Sequence, residues 1–149
     1  MGALQDFHGS VLSAFGDIVA QRHLKVVALD ANTVLLASRN WGIAVALSRD
    51  GVDLEYYCIL PSHELLRYDL FHFLVRVRGF NPQNSVGVME RVKECEDDRF
   101  DGELASCASA LLEKGQDVLE GSKEWMSAYP LQPWLIRGRD AKEILSALR

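Results

Sequence analysis

The chain has 149 residues, of which 48% are hydrophobic and 25% are charged, and its formal net charge is −5. These values are typical of one folded domain covering residues 1–149, and they exclude an intrinsically disordered chain. All apolar runs are far shorter than the roughly 20 residues of a membrane span, so we expect no membrane partner. The acidic balance disfavours nucleic acid as a partner, because phosphate binding needs a surface rich in Lys and Arg.

The first segment predicts an amphipathic helix. Its apolar residues recur at steps of three and four positions: Leu4, Phe7, Val11, Phe15 and Ile18. Such a stripe is stable only when it packs against another element, and we expect the strands that follow to supply that surface.

Four strands are predicted between residues 24 and 60, with the sequences LKVVALD, TVLLAS, WGIAVALS and VDLEYYCIL. The spacers between them are short, and Asp50-Gly51 is the strongest turn signal, so neighbouring strands should pair as antiparallel hairpins. In the third strand, small residues at 42, 44 and 46 would let a helix or a partner approach closely. In the fourth, apolar residues alternate with Asp53, Glu55 and Tyr57, which predicts one buried face and one hydrated face.

The second half of the chain is predicted to be mainly helical. Ser62 is the predicted N-cap of a helix whose apolar residues are Leu66, Leu70, Phe73, Leu74 and Val77. Further helices are predicted over residues 86–96, from Leu104 to a stop at Gly115, and from Asp140 to the C-terminal end. The expected fold is therefore α+β: a four-stranded antiparallel meander with an N-terminal helix on one face and a mainly helical C-terminal half.

The residues that usually perform catalysis show no motif. The four histidines include no pair at the i, i+4 spacing of a metal-binding helix, and the three cysteines form no CxxC pair. We therefore expect no enzyme activity, no metal site and no cofactor. One alternative stays open, a small enzyme of an unrecognised type that would use His63, His72 or Cys58.

The charge imbalance is concentrated between Glu90 and Glu103, where seven acidic residues stand against three basic ones. Two interpretations are compatible with each other. Carboxylates at the start of the helix through Leu104 would stabilise its exposed N–H groups. The same carboxylates would also attract a basic protein partner. The predicted docking residues are Glu90, Glu94, Glu96, Asp97, Asp98, Asp101 and Glu103.

Two aromatic residues are candidate anchors on a protein-binding surface. Tyr57 alternates toward the predicted hydrated face beside Asp53 and Glu55, and Trp41 stands at the start of a hairpin strand. Tyr and Trp are enriched at the centres of protein interfaces. The alternative for Trp41 is that its ring covers one edge of the core.

The order of these segments resembles that of small bacterial immunity proteins, in particular the immunity partners of contact-dependent growth inhibition and other polymorphic toxin systems. The resemblance runs through the N-terminal helix, NTVLLASRNWGIAVALSRDGVDLEYYCI, LFHFLVRVRGF and KGQDVLEGSKEWMSAY. It implies a cytoplasmic, non-enzymatic protein that binds the C-terminal toxin domain of a cognate effector and blocks its active site. Many such toxins are nucleases with basic substrate grooves, which an acidic surface would suit. A secretion chaperone or adaptor that binds an extended partner segment is the alternative function.

Overall fold

A computed structural model describes residues 7–49, 51–84 and 99–149 of the chain. Helix α1, Phe7–Arg22, is followed by five strands: β1 Lys25–Asp30, β2 Thr33–Ala37, β3 Trp41–Ser48, β4 Gly51–Ile59 and β5 Leu65–Asp69. The remaining elements are α2 Leu70–Arg76, α3 Arg99–Lys114, α4 Gln116–Leu119, β6 Trp134–Ile136 and α5 Gly138–Leu148. Short 3₁₀ helices cover Pro82–Asn84 and Glu124–Ala128.

The strands form one antiparallel sheet in the order β1-β2-β3-β4-β5-β6. The α+β class and the meander of β1 to β4 are confirmed, but the described sheet has six strands and not four. The segment after Pro61 was expected to be helical, and its first part is β5. His63 N donates to the Leu60 carbonyl and Leu60 N donates to the Glu64 carbonyl, so the chain turns back and pairs with β4.

Helix α2 therefore begins later than expected. Its N-cap is Asp69, whose carboxylate accepts a hydrogen bond from His72 N, and not Ser62. Asp69 satisfies an N–H group that the first helical turn leaves without a backbone partner. The stop predicted at Gly115 is confirmed, because α3 ends at Lys114. The helix predicted over residues 86–96 lies outside the described residues.

The main core lies between one face of the sheet and helices α1, α2 and α3. Helix α1 contributes the predicted stripe, with Val11, Phe15 and Ile18 buried. The sheet contributes alternate residues of its central strands: Val34, Leu36, Ile43, Val45, Leu54 and Tyr56. The predicted position of the N-terminal helix on one face of the sheet is thus confirmed.

Part of the opposite face is covered by α5, so the prediction of a hydrated face is wrong at Tyr57. Its ring belongs to a second buried cluster, in which Ala141, Ile144 and Leu148 of α5 pack on the sheet. The small residues of β3 allow this approach, as predicted: a Cβ on Gly42 would lie 2.8 Å from Leu148 Cδ2. The sheet therefore has helices on both faces, with α5 alone on the second face within the described residues.

Candidate protein-binding surface

The clearest exposed apolar surface in the described part of the chain surrounds β6. Leu131 and Trp134 are each 46% exposed and Leu135 is 37% exposed. We call these three side chains the β6 surface. Three of the six large apolar residues that are exposed among the described residues thus lie within five positions, at one edge of the sheet. Clustered exposed apolar side chains of this kind mark interaction sites more often than isolated ones do.

Local sequence explains why this segment forms a short edge strand. Pro130 and Pro133 precede it and prevent a helix, because proline lacks the N–H group that a helix interior needs. The segment is attached to the sheet just before β6, where the Tyr129 hydroxyl accepts a hydrogen bond from Asp69 N at 2.9 Å. Strand β6 then pairs with β5, with Trp134 opposite Arg67 and Leu135 opposite Leu66.

Trp134 is held in place by a chain of side-chain contacts across three strands. The Arg67 Cζ atom lies 5.0 Å from the Trp134 ring centroid, within the range of a cation–π contact. Arg67 Nε lies 3.6 Å from Glu55 Oε2, and the Tyr57 hydroxyl donates to the same oxygen at 2.9 Å. Directly paired residues of neighbouring strands share a face, and Tyr57, Arg67 and Trp134 are paired in this way. The exposed indole of Trp134 therefore packs on Arg67, which Glu55 in turn orients.

The Tyr57 hydroxyl, which donates to Glu55, stays protonated. Burial, followed by the neighbouring Glu55 carboxylate, raises the pKa of Tyr57 well above its ordinary value. The hydroxyl therefore remains a donor throughout the physiological range. Glu55 and Arg67 both keep partial contact with water, so their ion pair is weak in energy and serves mainly to orient Arg67.

The two aromatic residues singled out from the sequence lie mostly inside the protein. Trp41 is 8% exposed and stacks on Tyr56 with ring centroids 5.9 Å apart, as expected of a ring that covers an edge of the core. Tyr57 is 6% exposed and supports Arg67. Their role as partner anchors remains a prediction, and Trp134 offers far more area to a partner.

Most of the predicted acidic docking residues cannot be placed. Glu90, Glu94, Glu96, Asp97 and Asp98 lie outside the described residues, and Asp101 lies in α3 with its side chain outside them.

Glu103 is described, and it has a structural role. Its Oε1 accepts a hydrogen bond from Val52 N at 3.2 Å, and its carboxylate fills the space beside Gly51, where a Cβ would stand. Gly51 has φ +123°, a conformation that only glycine adopts readily. Glu103 therefore attaches the start of α3 to the hairpin between β3 and β4.

Of the groups of the enzyme alternative, Cys58 is buried and His72 lies in the first turn of α2. Burial raises the pKa of the Cys58 thiol and also that of Cys107, which disfavours the nucleophilic thiolate. His63 is exposed in the turn before β5. Within residues 7–49, 51–84 and 99–149, no group of three or more His, Cys, Asp or Glu residues is placed to hold a metal ion. Over the same residues, no helix has the length and apolar character needed to cross a bilayer.

Sequence reasoning missed Trp134 and Arg67. A usable signal was present in PLQPWLI, where two prolines exclude a helix and a Trp stands in a run too short to be buried on both sides. The contact between Arg67 and Trp134 had no local signal, because 66 positions separate the two residues.

The β6 surface lies at the sheet edge, with Trp134 on the face of Arg67 and Leu135 on the opposite face beside Leu66. This arrangement suits contact with another protein, since interface centres are apolar and rich in Trp, Tyr and Arg while their rims are polar. Comparisons of the chain with models of protein families, with curated proteins and with solved structures find no match.

Proposed function

We propose that this chain is a non-enzymatic cytoplasmic protein that binds a cognate toxin domain and neutralises it by covering the active site. The observation that supports binding best is the exposed Trp134, held in position by Arg67, Glu55 and Tyr57. The class of partner comes from the resemblance of the segment order to bacterial immunity proteins.

Pre-organisation is the physical reason to choose this surface. Binding normally costs about 0.5–1.5 kcal/mol for each flexible side chain that becomes ordered. Trp134 is already oriented by the contact with Arg67, so less of that cost remains. Buried aromatic anchors also supply a large share of the binding energy in measured interfaces. The β6 surface would therefore contribute a large binding free energy for its small area.

Charge indicates a basic partner. The protein carries a net charge of −5, and the stretch from Glu90 to Glu103 accounts for a net −4 of it. Long-range attraction of a basic surface raises the association rate and weakens with added salt. A nuclease toxin with a basic substrate groove would fit, and coverage of that groove would exclude its nucleic acid substrate.

The proposal expects a large secreted-effector reading frame immediately upstream of this chain's gene, and that effector supplies the test. Its C-terminal domain is expressed alone in a susceptible bacterium, and then together with the full chain. Restored growth and a 1:1 complex of the purified proteins support the proposal. Continued growth arrest together with undetectable binding at 100 μM would contradict it.

A matched pair of variants tests the surface itself. Trp134→Ala should weaken toxin binding at least ten-fold, the effect expected of a hot-spot residue. Val77→Ala removes an exposed apolar side chain elsewhere and should change the affinity less than two-fold. Equal affinities of the two variants would remove the β6 surface from the proposal, and circular dichroism checks that both fold.

A secretion chaperone or adaptor is the second candidate, and one observation favours it. Strand β1 stands at the other end of the sheet and presents a six-residue edge, the kind of edge along which extended segments bind. The two functions differ in the partner's form. An adaptor would bind an unfolded segment of the effector as tightly as the whole effector, whereas an immunity protein would bind only the folded toxin domain.

A further inference from the structure

The outer edge of β1 has no strand beside it in the described part of the chain. Strand β1, Lys25–Asp30, pairs with β2 on one side and ends the sheet on the other. An open edge presents a row of main-chain N–H and C=O groups that can pair with another strand. Six residues is an ordinary length for a strand that pairs within a sheet.

Exposed apolar side chains lie along this edge. Val26 is 37% exposed, and Ala28, two positions later on the same face, is also exposed. Helix α1 runs beside β1 and is attached to it near both ends, since His8 Nε2 lies 2.6 Å from the Asp30 carbonyl oxygen and Leu24 N donates to the Val19 carbonyl. The exposed Leu12 of α1 lies between these two attachments. A strand added at this edge would meet apolar side chains on the α1 side.

The charges of β1 are complementary to those of its own reversed copy. Lys25 and Asp30 stand at opposite ends of the strand, and both are exposed. The bulge puts them on the same face, because Lys25 pairs with Ala37 and Asp30 pairs with Thr33, two residues on one face of β2. In an antiparallel pair of two β1 strands, each end brings the lysine of one copy next to the aspartate of the other. This complementarity is specific to a second copy of the chain, because an arbitrary partner strand would not carry it.

We propose that two copies of this chain associate through antiparallel pairing of their β1 strands, with the two Val27 residues on the twofold axis. This register places Val26 opposite Ala28 of the second copy, so that apolar side chains face each other. It also places Lys25 opposite Leu29, one position from Asp30 of the second copy. The register centred on Ala28 is worse, because it places Leu29 and Asp30, at the bulge, opposite Val27 and Val26, where regular pairing is disturbed.

A bulge limits the strength of the dimer. The pairing of β1 with β2 shifts register between Ala28 and Asp30, and bulges twist edge strands and restrict their pairing. Regular pairing is therefore confined to the middle of β1, and we expect a micromolar dissociation constant. The dimer would join two six-stranded sheets into one and leave the β6 surfaces at its two ends, each free to bind a partner.

The experiment is sedimentation equilibrium of the full chain, from micromolar to millimolar concentration. The mass should rise from 16.7 kDa toward twice that value. Lys25→Glu puts two acidic groups at each end of the pair, and Asp30→Lys puts two basic groups there. Each variant alone should raise the dissociation constant about ten-fold or more. A 1:1 mixture of the two restores opposite charges and should form a heterodimer of near wild-type affinity.

Controls separate this result from other causes. Arg76→Glu makes the same change in net charge as Lys25→Glu. Arg76 is exposed at the end of α2 and not on β1, so this variant should leave the dissociation constant within two-fold. Asp30 Oδ1 accepts a hydrogen bond from Asn32 N, so circular dichroism first checks that Asp30→Lys is folded before the mixture is measured. The double variant Val26→Lys, Ala28→Lys replaces exposed side chains only and should weaken the dimer about 100-fold. A chain that stays monomeric at millimolar concentration would overturn the proposal, as would a dimer that is insensitive to these variants or a mixture that does not restore affinity.

Discussion

Arg78, two positions beyond the end of α2, forms a two-hydrogen-bond ion pair with Asp117. Its guanidinium donates to both carboxylate oxygens of Asp117, at 2.5 and 2.7 Å, and also to the Lys114 carbonyl at 2.8 Å. The Cζ atom lies 5.0 Å from the Phe73 ring centroid. Paired hydrogen bonds between Arg and a carboxylate fix both distance and orientation. One side chain thus connects α2, the end of α3 and α4.

The hydrogen bond from Arg78 lowers the pKa of Asp117, and this makes stability depend on pH. A carboxylate with a depressed folded-state pKa stabilises the fold above its unfolded value of about 3.9, and this contribution is lost as the pH falls through the folded value. Asp117→Asn should therefore cost about 1 kcal/mol at pH 7, a figure reduced for partial exposure. In urea unfolding, the gap between variant and wild type should close as the pH falls below about 4. A gap that stays constant would exclude the ion pair as its cause.

His63 is one of three described residues other than glycine with positive φ, at 70°. The left-handed conformation costs an L-residue about 1–2 kcal/mol, and glycine avoids most of it while losing some entropy on folding. His63→Gly should therefore stabilise the protein by about 0.5 kcal/mol in urea unfolding. His63→Ala keeps the strain and should not stabilise it. A loss of stability in the glycine variant would show that the imidazole makes an important contact.

At the scale of elements, α5 packs on the sheet face that contains Tyr57. The carbonyl of Leu148 accepts a hydrogen bond from Asn40 N at 2.9 Å, which holds the end of the helix against the turn before β3. Leu148 is almost completely buried, and its Cδ2 atom occupies the space that a side chain on Gly42 would need. The small residue in β3 and the large residue in α5 are therefore complementary.

This complementarity predicts a coupling between the two positions. Gly42→Ala alone should destabilise the protein by about 1–3 kcal/mol, because its Cβ meets both Leu148 and the Leu36 carbonyl oxygen at 3.1 Å. Leu148→Ala alone should cost about 2–4 kcal/mol through the cavity that it leaves. The double variant should cost less than the sum, by about 0.5–1.5 kcal/mol. Strict additivity in a double-mutant cycle would contradict the contact.

At the scale of the whole molecule, the two ends of the sheet expose different groups. Strand β6 has three residues and follows a proline, so it offers side chains rather than main chain to a partner. Strand β1 has six residues and offers its backbone edge. The acidic stretch from Glu90 to Glu103 adds charge that acts over a longer distance than either surface.

Charge reversal in that stretch tests its part in the proposed binding of a toxin domain. Exchange of Asp97, Asp98 and Asp101 for Lys should slow association at least ten-fold in low salt and leave the fold intact. Because screening removes long-range attraction, the difference should shrink in 0.5 M NaCl. A control variant makes the same charge change at the exposed residues Asp17, Glu124 and Glu143. Equal slowing of both variants in stopped-flow measurements would show that only net charge matters.

Local sequence by itself determined α1, strands β1 to β4 and the end of α3. Each depends on the spacing of apolar residues or on a turn residue such as Gly51 or Gly115, and these signals lie within a few positions of the structure they predict. The absence of a recognisable catalytic motif was also read from local sequence.

Only the tertiary structure decided that residues 65–69 form a strand, that α5 covers the face containing Tyr57, and that Trp134 is exposed on top of Arg67. The apolar spacing of residues 66–77 fits a helix when it is read alone. Its first part becomes a strand because the open edge of β4 offers backbone hydrogen bonds to residues 65–69. Such partners lie far away in the chain or become neighbours only after folding, and for this reason no local pattern reveals them.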